Sequence, residues 1–485
     1  MSEPASMVET PAPRSAPRFS RELKIAFAIY LVALGAYAGA SGKRLLRPSN
    51  DNHYVYLAHG WLHGRLDLGG PPPHANDWAQ VDWLHLKDGR LVKGVFAQGA
   101  SETFRTLRGK VITIKPDEIA SKETKTYVSF PPFPAVVMLP IVAIAGMRTN
   151  DVILVTLIAS LAPALLFLLL RKLRRRGDSG RSEVDDLWLT SVLGVGSVFY
   201  FSAVRGEVWY TAHVVSVILM ILYTWASLDG EHPFWAGLCL VCGFLTRPEL
   251  LFAAPLFLWQ ASRACSTGTP LATGPLAARA RDYFARLDKP AALRSLLLFG
   301  APIAVLGLGA AVLNAVRFER LTEFGHTYLN VIQQSQIQKF GLFNFTYLGR
   351  NLSCAFALMP SVVAGSPFIK ISWHGMAMWV TTPVLFYLLW PRVKGPLHRP
   401  LWITVACVAI PDLFYQNSGF VQFGYRFSLD YMVFLVVLLA LGGRPLTRFF
   451  KGLCVYAFAI NLFGAITFYW ASQFYFNSYF PAGIN

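Results

Sequence analysis

Pro48-Ser49-Asn50-Asp51-Asn52-His53-Tyr54-Val55-Tyr56-Leu57-Ala58-His59-Gly60-Trp61-Leu62-His63-Gly64-Arg65-Leu66-Asp67-Leu68 follows the first long apolar run of the chain and places an acidic residue just beyond it. Ser49, Asn50 and Asp51 all suit a helix N-cap, and Gly64 suits a stop. Between them Tyr54, Leu57, Ala58, Trp61 and Leu62 repeat at helical spacing, which predicts one apolar face. The stretch therefore reads as a short amphipathic helix on the outer membrane interface, with Asp51 at its positive N-terminal end. Capping alone would account for an Asp at that place, so the plain alternative is a capped helix without chemistry.

Composition supports a membrane setting. The 485 residues are 54% hydrophobic and only 15% charged, with a mean hydropathy of +0.42, which predicts an all-α polytopic membrane protein. The formal charge of +17 invites a nucleic-acid reading. The basic residues cluster in short loops between apolar runs, however, where bilayer orientation and anionic head groups explain them better. Four of the six cysteines, Cys239, Cys242, Cys407 and Cys454, fall in apolar runs. The Cys239-x-x-Cys242 pair thus reads as packing, and no disulfide framework is implied.

In chain order, residues 1–22 read as a disordered cytoplasmic tail rich in Pro, Ser, Ala and Arg. Residues 23–485 form the membrane domain. Its first span, 25–40, follows Arg18, Arg21 and Lys24, which puts its start inside. An external loop, 42–149, then carries interfacial helices and a small β insert. Residues 83–86 and 91–96 flank Asp88-Gly89, a hairpin signal, and 111–115 and 126–130 add strand-like pieces.

The parity of the remaining spans turns on residues 135–145. That apolar run is far shorter than the ~20 residues a crossing needs, whereas 151–170 is long enough. If only the second crosses, Arg171-Lys172-Leu173-Arg174-Arg175-Arg176 falls inside, as the positive-inside rule requires. Residues 135–145 are then an interfacial helix. Further spans follow at 187–203, 211–227, 234–245, 250–259, 296–316, 376–390, 401–415, 432–441 and 453–470, about eleven in all. The basic linker 262–294 falls inside, and Asn485 outside. No clear midplane breaks or internal repeats are visible.

The order of these features resembles the GT-C superfamily of integral-membrane glycosyltransferases. The branch is that of bacterial lipid-linked-sugar transferases and protein O-mannosyltransferases, similar to glycosyltransferase family 39. The resemblance is carried by Asp51 after the first span, the aromatic-rich helix ending in Gly64-Arg65-Leu66, the segment 128–134 ending in Pro131-Pro132-Phe133-Pro134, Thr246-Arg247-Pro248-Glu249, and Gly424-Tyr425-Arg426 before a late span. It implies an inverting hexosyltransferase that moves a sugar from a polyprenyl-phosphate donor to a glycan, lipid or protein acceptor. It also implies a bacterial inner-membrane location with the site facing the periplasm, membrane lipids as surroundings and no nucleic-acid partner.

Such transfer needs a carboxylate to align or deprotonate the acceptor and cations to hold the leaving phosphate. The resemblance makes Asp51 the base and Glu207 a second catalytic carboxylate, although a salt bridge with Arg205 explains Glu207 equally well. Arg247, Arg426 and the adjacent Tyr425 are the donor-phosphate candidates, Arg247 against the alternative of a plain pair with Glu249. Asp430 stands four residues beyond Arg426 on a helix, placed to neutralise it. His53, Arg65, His326 and Tyr328 are candidate acceptor or supporting residues. No cofactor is expected. His59 and His63 have zinc-like helical spacing but no convincing third ligand, and Asp185-Asp186 falls on the inner side, so no metal is assigned, though a divalent ion remains compatible with the chemistry. The alternatives to an enzyme are a transporter or flippase of lipid-linked sugars, which more often shows broken spans or repeats, and a non-catalytic scaffold.

Overall fold

A computed structural model describes residues 18–97, 101–268, 274–331 and 333–477. Most of the expected tail and the terminal Asn485 lie outside the described residues. The tail boundary moves, because the first helix, α1 (Arg18–Ser41), already begins at Arg18.

After α1 come the short helix α2 (His53–Leu62) and five antiparallel strands: β1 (Ala79–Leu86), β2 (Leu91–Phe96), β3 (Thr103–Thr106), β4 (Val111–Thr113) and β5 (Ile119–Tyr127). Their spatial order is β4-β3-β2-β1-β5. The expected insert is therefore a full five-stranded sheet, with Asp88-Gly89 at the β1–β2 turn as its sequence predicts. The segment 126–130 ends β5 instead of starting a strand. The sheet is larger than the small β insert expected within an all-α fold; the rest of the chain is mostly helical.

Helix α3 (Phe133–Ala145) is followed by α4 (Asp151–Ala159) and α5 (Leu161–Arg175), which together make one long apolar rod. Then come α6 (Glu183–Gly194), α7 (Val198–Ala203), α8 (Val208–Ser227), α9 (Pro233–Phe244), α10 (Pro255–Ala264), α11 (Leu276–Arg286) and the 30-residue α12 (Lys289–Phe318). The last third holds three short helices, α13 (Gln334–Phe340), α14 (Leu348–Leu352) and α15 (Met378–Thr381). It closes with α16 (His398–Phe414), α17 (Leu429–Leu441) and α18 (Arg448–Thr467). A small sheet joins β6 (Ser361–Val362), β7 (Ile369–Ser372) and β8 (Tyr475–Phe476).

Among the described residues five helices are long and apolar enough to cross a membrane: Ser20–Leu46, Asp151–Arg175, Val208–Gly230, Lys289–Phe318 and Arg448–Thr467. Each coincides with an expected span, but the count of eleven does not stand. The other six apolar segments form short or interrupted helices. At 1.5 Å per residue α9 reaches about 18 Å and α17 about 20 Å, against a hydrocarbon core of about 30 Å. Residues 187–203 break between α6 and α7 at Gly196-Ser197, where Ser197 caps α7. Pro248, Pro255 and Pro383 divide two more into 3₁₀ and α pieces. Proline lacks the amide proton that would continue the ladder, so the breaks follow from sequence. Broken helices are thus present although the sequence reading expects none, and the prolines are the signal it passes over.

The core is one apolar cluster built from α2, α3, α5, α6, α8, α9 and the almost wholly buried α17. Helices α9 and α12 meet at Gly237, where a Cβ would stand 2.0 Å from the Phe299 carbonyl oxygen. That contact lets the two backbones touch, and further along Val241 and Leu245 stay packed on Ala310 of α12.

The two ends of the bundle differ in charge. At one end Arg171 pairs with Asp186 at 2.8 Å and Lys172 with Glu231 at 2.7 Å, while Arg175 pairs with Glu22. At the other, Asp151 accepts the backbone amide of Ser49 at 2.8 Å and the Asp51 carbonyl accepts the Val208 amide at 2.9 Å. These contacts stand at opposite ends of the rod α4–α5, about 35 Å apart.

Candidate functional site

Helix α2 begins at His53. Its N-cap is Asn52, and no side chain caps it. Asp51 is therefore not a capping residue, contrary to the sequence expectation, and its carboxylate points elsewhere. It lies 3.4 Å from Nε2 of His74, in a cavity of about 1100 Å³. Helix α2 packs against α3, and Tyr54, Leu57 and Ala58 are buried in the core rather than laid on lipid.

The loop before β1 brings a second carboxylate to the same cavity. Asp77 has φ +61, a left-handed conformation that Asp tolerates better than most residues. Its amide donates to the Asn330 carbonyl at 3.2 Å, and the Asn330 amide donates back to Trp78 at 3.0 Å. Trp78 in turn stacks on the buried ring of His53 at 3.8 Å. His53 thus supports the loop that carries Asp77 and does not line the cavity; burial pushes it down to about 3, so it is neutral. Burial also raises Asp51 to about 6, with His74 opposing the shift and Glu207 adding to it. Asp77 rises to about 6 through burial and then through the Asp51 charge, while contact with the Trp209 indole and Arg426 draws it back. Two carboxyls thus share one space, and the charge of Asp51 hinders ionisation of Asp77.

Arg426 lines the cavity and is only 3% exposed. Its backbone amide donates to the Gln422 side chain at 2.8 Å, and its guanidinium lies over Tyr210 at 5.3 Å and Phe427 at 5.7 Å. Among the described residues Nε and Nη1 have no hydrogen-bond partner. A buried guanidinium with unfilled donors is unfavourable unless an anion completes it.

Arg247 is held very differently. It pairs with Glu249, with Asp430 at 2.6 Å and more loosely with Asp412 at 3.8 Å. The Arg247–Glu249 pair offered as the plain alternative is therefore present, and Asp430 bonds to Arg247 rather than neutralising Arg426. Oxygens of Glu249, Asp412 and Asp430 lie within 4.8 Å of one another, the spacing of a metal cluster. The Arg247 guanidinium stands among them and meets one of their charges, most closely at Glu249 and Asp430.

Of the remaining candidates, His326 lines the cavity beside Phe130. Glu207 stands just outside, paired with Arg205 at 3.2 Å. Arg205 is itself boxed by Phe201, Tyr210, Phe468 and Tyr469 at 4.8–5.4 Å. Tyr425 is buried against Phe427 behind Arg426. Tyr328 donates to the Leu107 carbonyl at 3.2 Å and stacks on Phe318, a structural place. Arg65 is exposed and folds over Gly69, away from the cavity.

Asp77, His74, Trp209, Tyr469 and Asp412 escape the sequence reading. Asp412, acidic within an apolar run, carried a usable signal. Asp77 sits in a polar turn after three prolines, Pro71-Pro72-Pro73, and looks like any loop residue.

The cavity has two unlike walls. Besides the charged groups, the lining includes the apolar Val241, Phe244, Leu251 and Phe252 and, from α12, Ile303, Gly307 and Ala310. Much of the rest of α12 is exposed and apolar, including Val305, Leu308 and Val312. No known protein family matches the chain, and no characterised protein resembles it in sequence.

Proposed function

We propose that the cavity is the active site of an inverting glycosyltransferase that uses a polyprenyl-phosphate sugar. The observation carrying this reading is the unsatisfied guanidinium of Arg426, set between an apolar wall and the carboxyls of Asp51 and Asp77. In this reading the polyprenyl chain lies along the apolar lining that α9 and α12 contribute, and Arg426 binds the phosphate. Arg247 is spent on its carboxylates and holds the wall in place. An acceptor hydroxyl attacks the anomeric carbon, its proton passes to Asp51, and the bond from that carbon to the phosphate oxygen breaks. Polyprenyl phosphate leaves with the electron pair, its charge met by Arg426. Asp77 and Trp209 orient the sugar, and Glu207 supports the site through Arg205.

The basic end of the bundle supports a cytoplasmic placement, which turns the cavity outward, to the periplasmic face of a bacterial inner membrane. The short helices then complete the membrane bundle beside the five long ones. The test is incubation of the purified protein in nanodiscs with a panel of labelled polyprenyl-phosphate sugars, scoring sugar transferred or released. A transporter of lipid-linked sugars is the second reading, favoured by the interrupted helices and by the buried Arg247 cluster. Movement of lipid-linked sugar across proteoliposomes without any transfer would select it.

A further inference from the structure

Helix α11 (Leu276–Arg286) stands apart from everything described so far. Among the described residues no other helix or strand makes an extensive contact with it, and its residues from Ala277 onward are exposed or half-buried. An eleven-residue helix with so little tertiary contact is marginal in water, so a surface that covers its face would favour its helical form.

The sequence says what that surface is. Plotted at 100° per residue, Tyr283, Ala280, Phe284 and Ala277 share one arc. Phe284 is 61% exposed. Arg279 and Arg281 flank this arc on its two edges, and Arg286 lies on the polar side, paired with Asp282 at 2.8 Å. Aromatic rings on one face and arginines along its rims match a helix lying in a lipid interface, with the guanidinium groups reaching up to head groups. Segment 262–294 holds six basic residues, Arg263, Arg279, Arg281, Arg286, Lys289 and Arg294, against two acidic ones, Asp282 and Asp288.

The chain also fixes where the helix can lie. Ser266 and Leu287 form a bridge, and the Asp288 amide donates to the Cys265 carbonyl at 2.8 Å. These contacts staple the base of the linker to the ends of α10 and α12. Lys289 opens α12, and Asn314, which lines the cavity, is about 37 Å further along it, a full membrane thickness. The exposed apolar side chains of Leu293, Leu296 and Leu297 begin within two turns of the staple.

We propose that α11 is an in-plane anchor that docks on anionic phospholipid at the membrane surface opposite the cavity. Hydrogen exchange of the 276–286 amides in the full-length protein tests this, in nanodiscs of phosphatidylcholine alone or mixed with phosphatidylglycerol. Exchange should be slower in the anionic discs, and added salt should erase the difference. An Arg279→Gln, Arg281→Gln variant should lose about fivefold in protection per arginine, with exchange in α8 and α12 unchanged as the folding control. Phe284→Ser should lose protection in both lipids. Equal protection in neutral and anionic discs, or protection indifferent to the arginine changes, would overturn the assignment. So would fast exchange in every lipid, which would leave the face for a protein partner.

Discussion

Arg426 and Arg247 line one cavity, yet the structure gives them opposite thermodynamic signs. The free protein bears an unmet cost at Arg426, because Nε and Nη1 are buried without partners. Leaving such a group unsatisfied costs about 1–3 kcal/mol. Its cation–π contacts with Tyr210 and Phe427 return about 0.5–1 kcal/mol each. Arg426→Met should therefore leave the stability of the empty protein unchanged or raise it by about 1 kcal/mol. The same change removes the phosphate's charged hydrogen bonds, each worth about 1.5–3 kcal/mol, so donor affinity should fall roughly 10- to 100-fold for one bond and further for two. Arg247→Met removes the counter-charge of Glu249, Asp430 and Asp412. Breaking a buried pair in this way costs about 3–5 kcal/mol, so this variant should fold poorly before binding can be judged. Denaturant melts in nanodiscs and titration with a polyprenyl-phosphate sugar read both quantities. An Arg426→Met protein that is several kcal/mol less stable yet binds donor normally would refute the reasoning and make Arg426 a structural residue.

Other perturbations address the carboxyls and the topology. Asp51→Asn should bind donor and lose on the order of 10²–10⁴ in transfer rate, whereas Glu207→Gln, acting through Arg205, should lose less. The Asp51 carboxyl is raised from 3.8 to about 6 in the folded protein, so the stability it contributes is present below about pH 4 and is lost as pH rises through 6. Asp51→Asn should accordingly stabilise the protein at pH 7 and not at pH 4, in paired melts. Transfer should rise with pH through about 6, and His74→Gln, by removing the group that holds the carboxyl down, should move that limb to higher pH. In a background without native cysteines, an impermeant thiol reagent should label Arg148→Cys and Gly180→Cys from opposite sides of sealed vesicles, Arg148→Cys from outside. Both positions are exposed; labelling from the same side would overturn the proposed orientation.

Sequence alone determined the strongly apolar character, the places of the five long helices, though among six further runs that are short or interrupted, the β1–β2 turn and the clustering of basic residues in loops. These are local properties: hydropathy over a window, turn chemistry at Asp88-Gly89, and charge counted loop by loop. Sequence also picked Asp51, Arg247, Arg426 and His326, four residues that line one cavity although nearly 380 positions separate the first from the last. Tertiary structure decided which of them is free. Arg247 and Arg426 look alike in sequence, each basic beside an apolar run. Only packing brings Asp412 and Asp430 onto Arg247 and leaves Arg426 facing open space. The same holds for Asp77, a turn residue until the Asn330 backbone and the His53–Trp78 stack pin it opposite Asp51. Charge pairing at a distance depends on where helices cross, and a one-dimensional pattern carries no record of that.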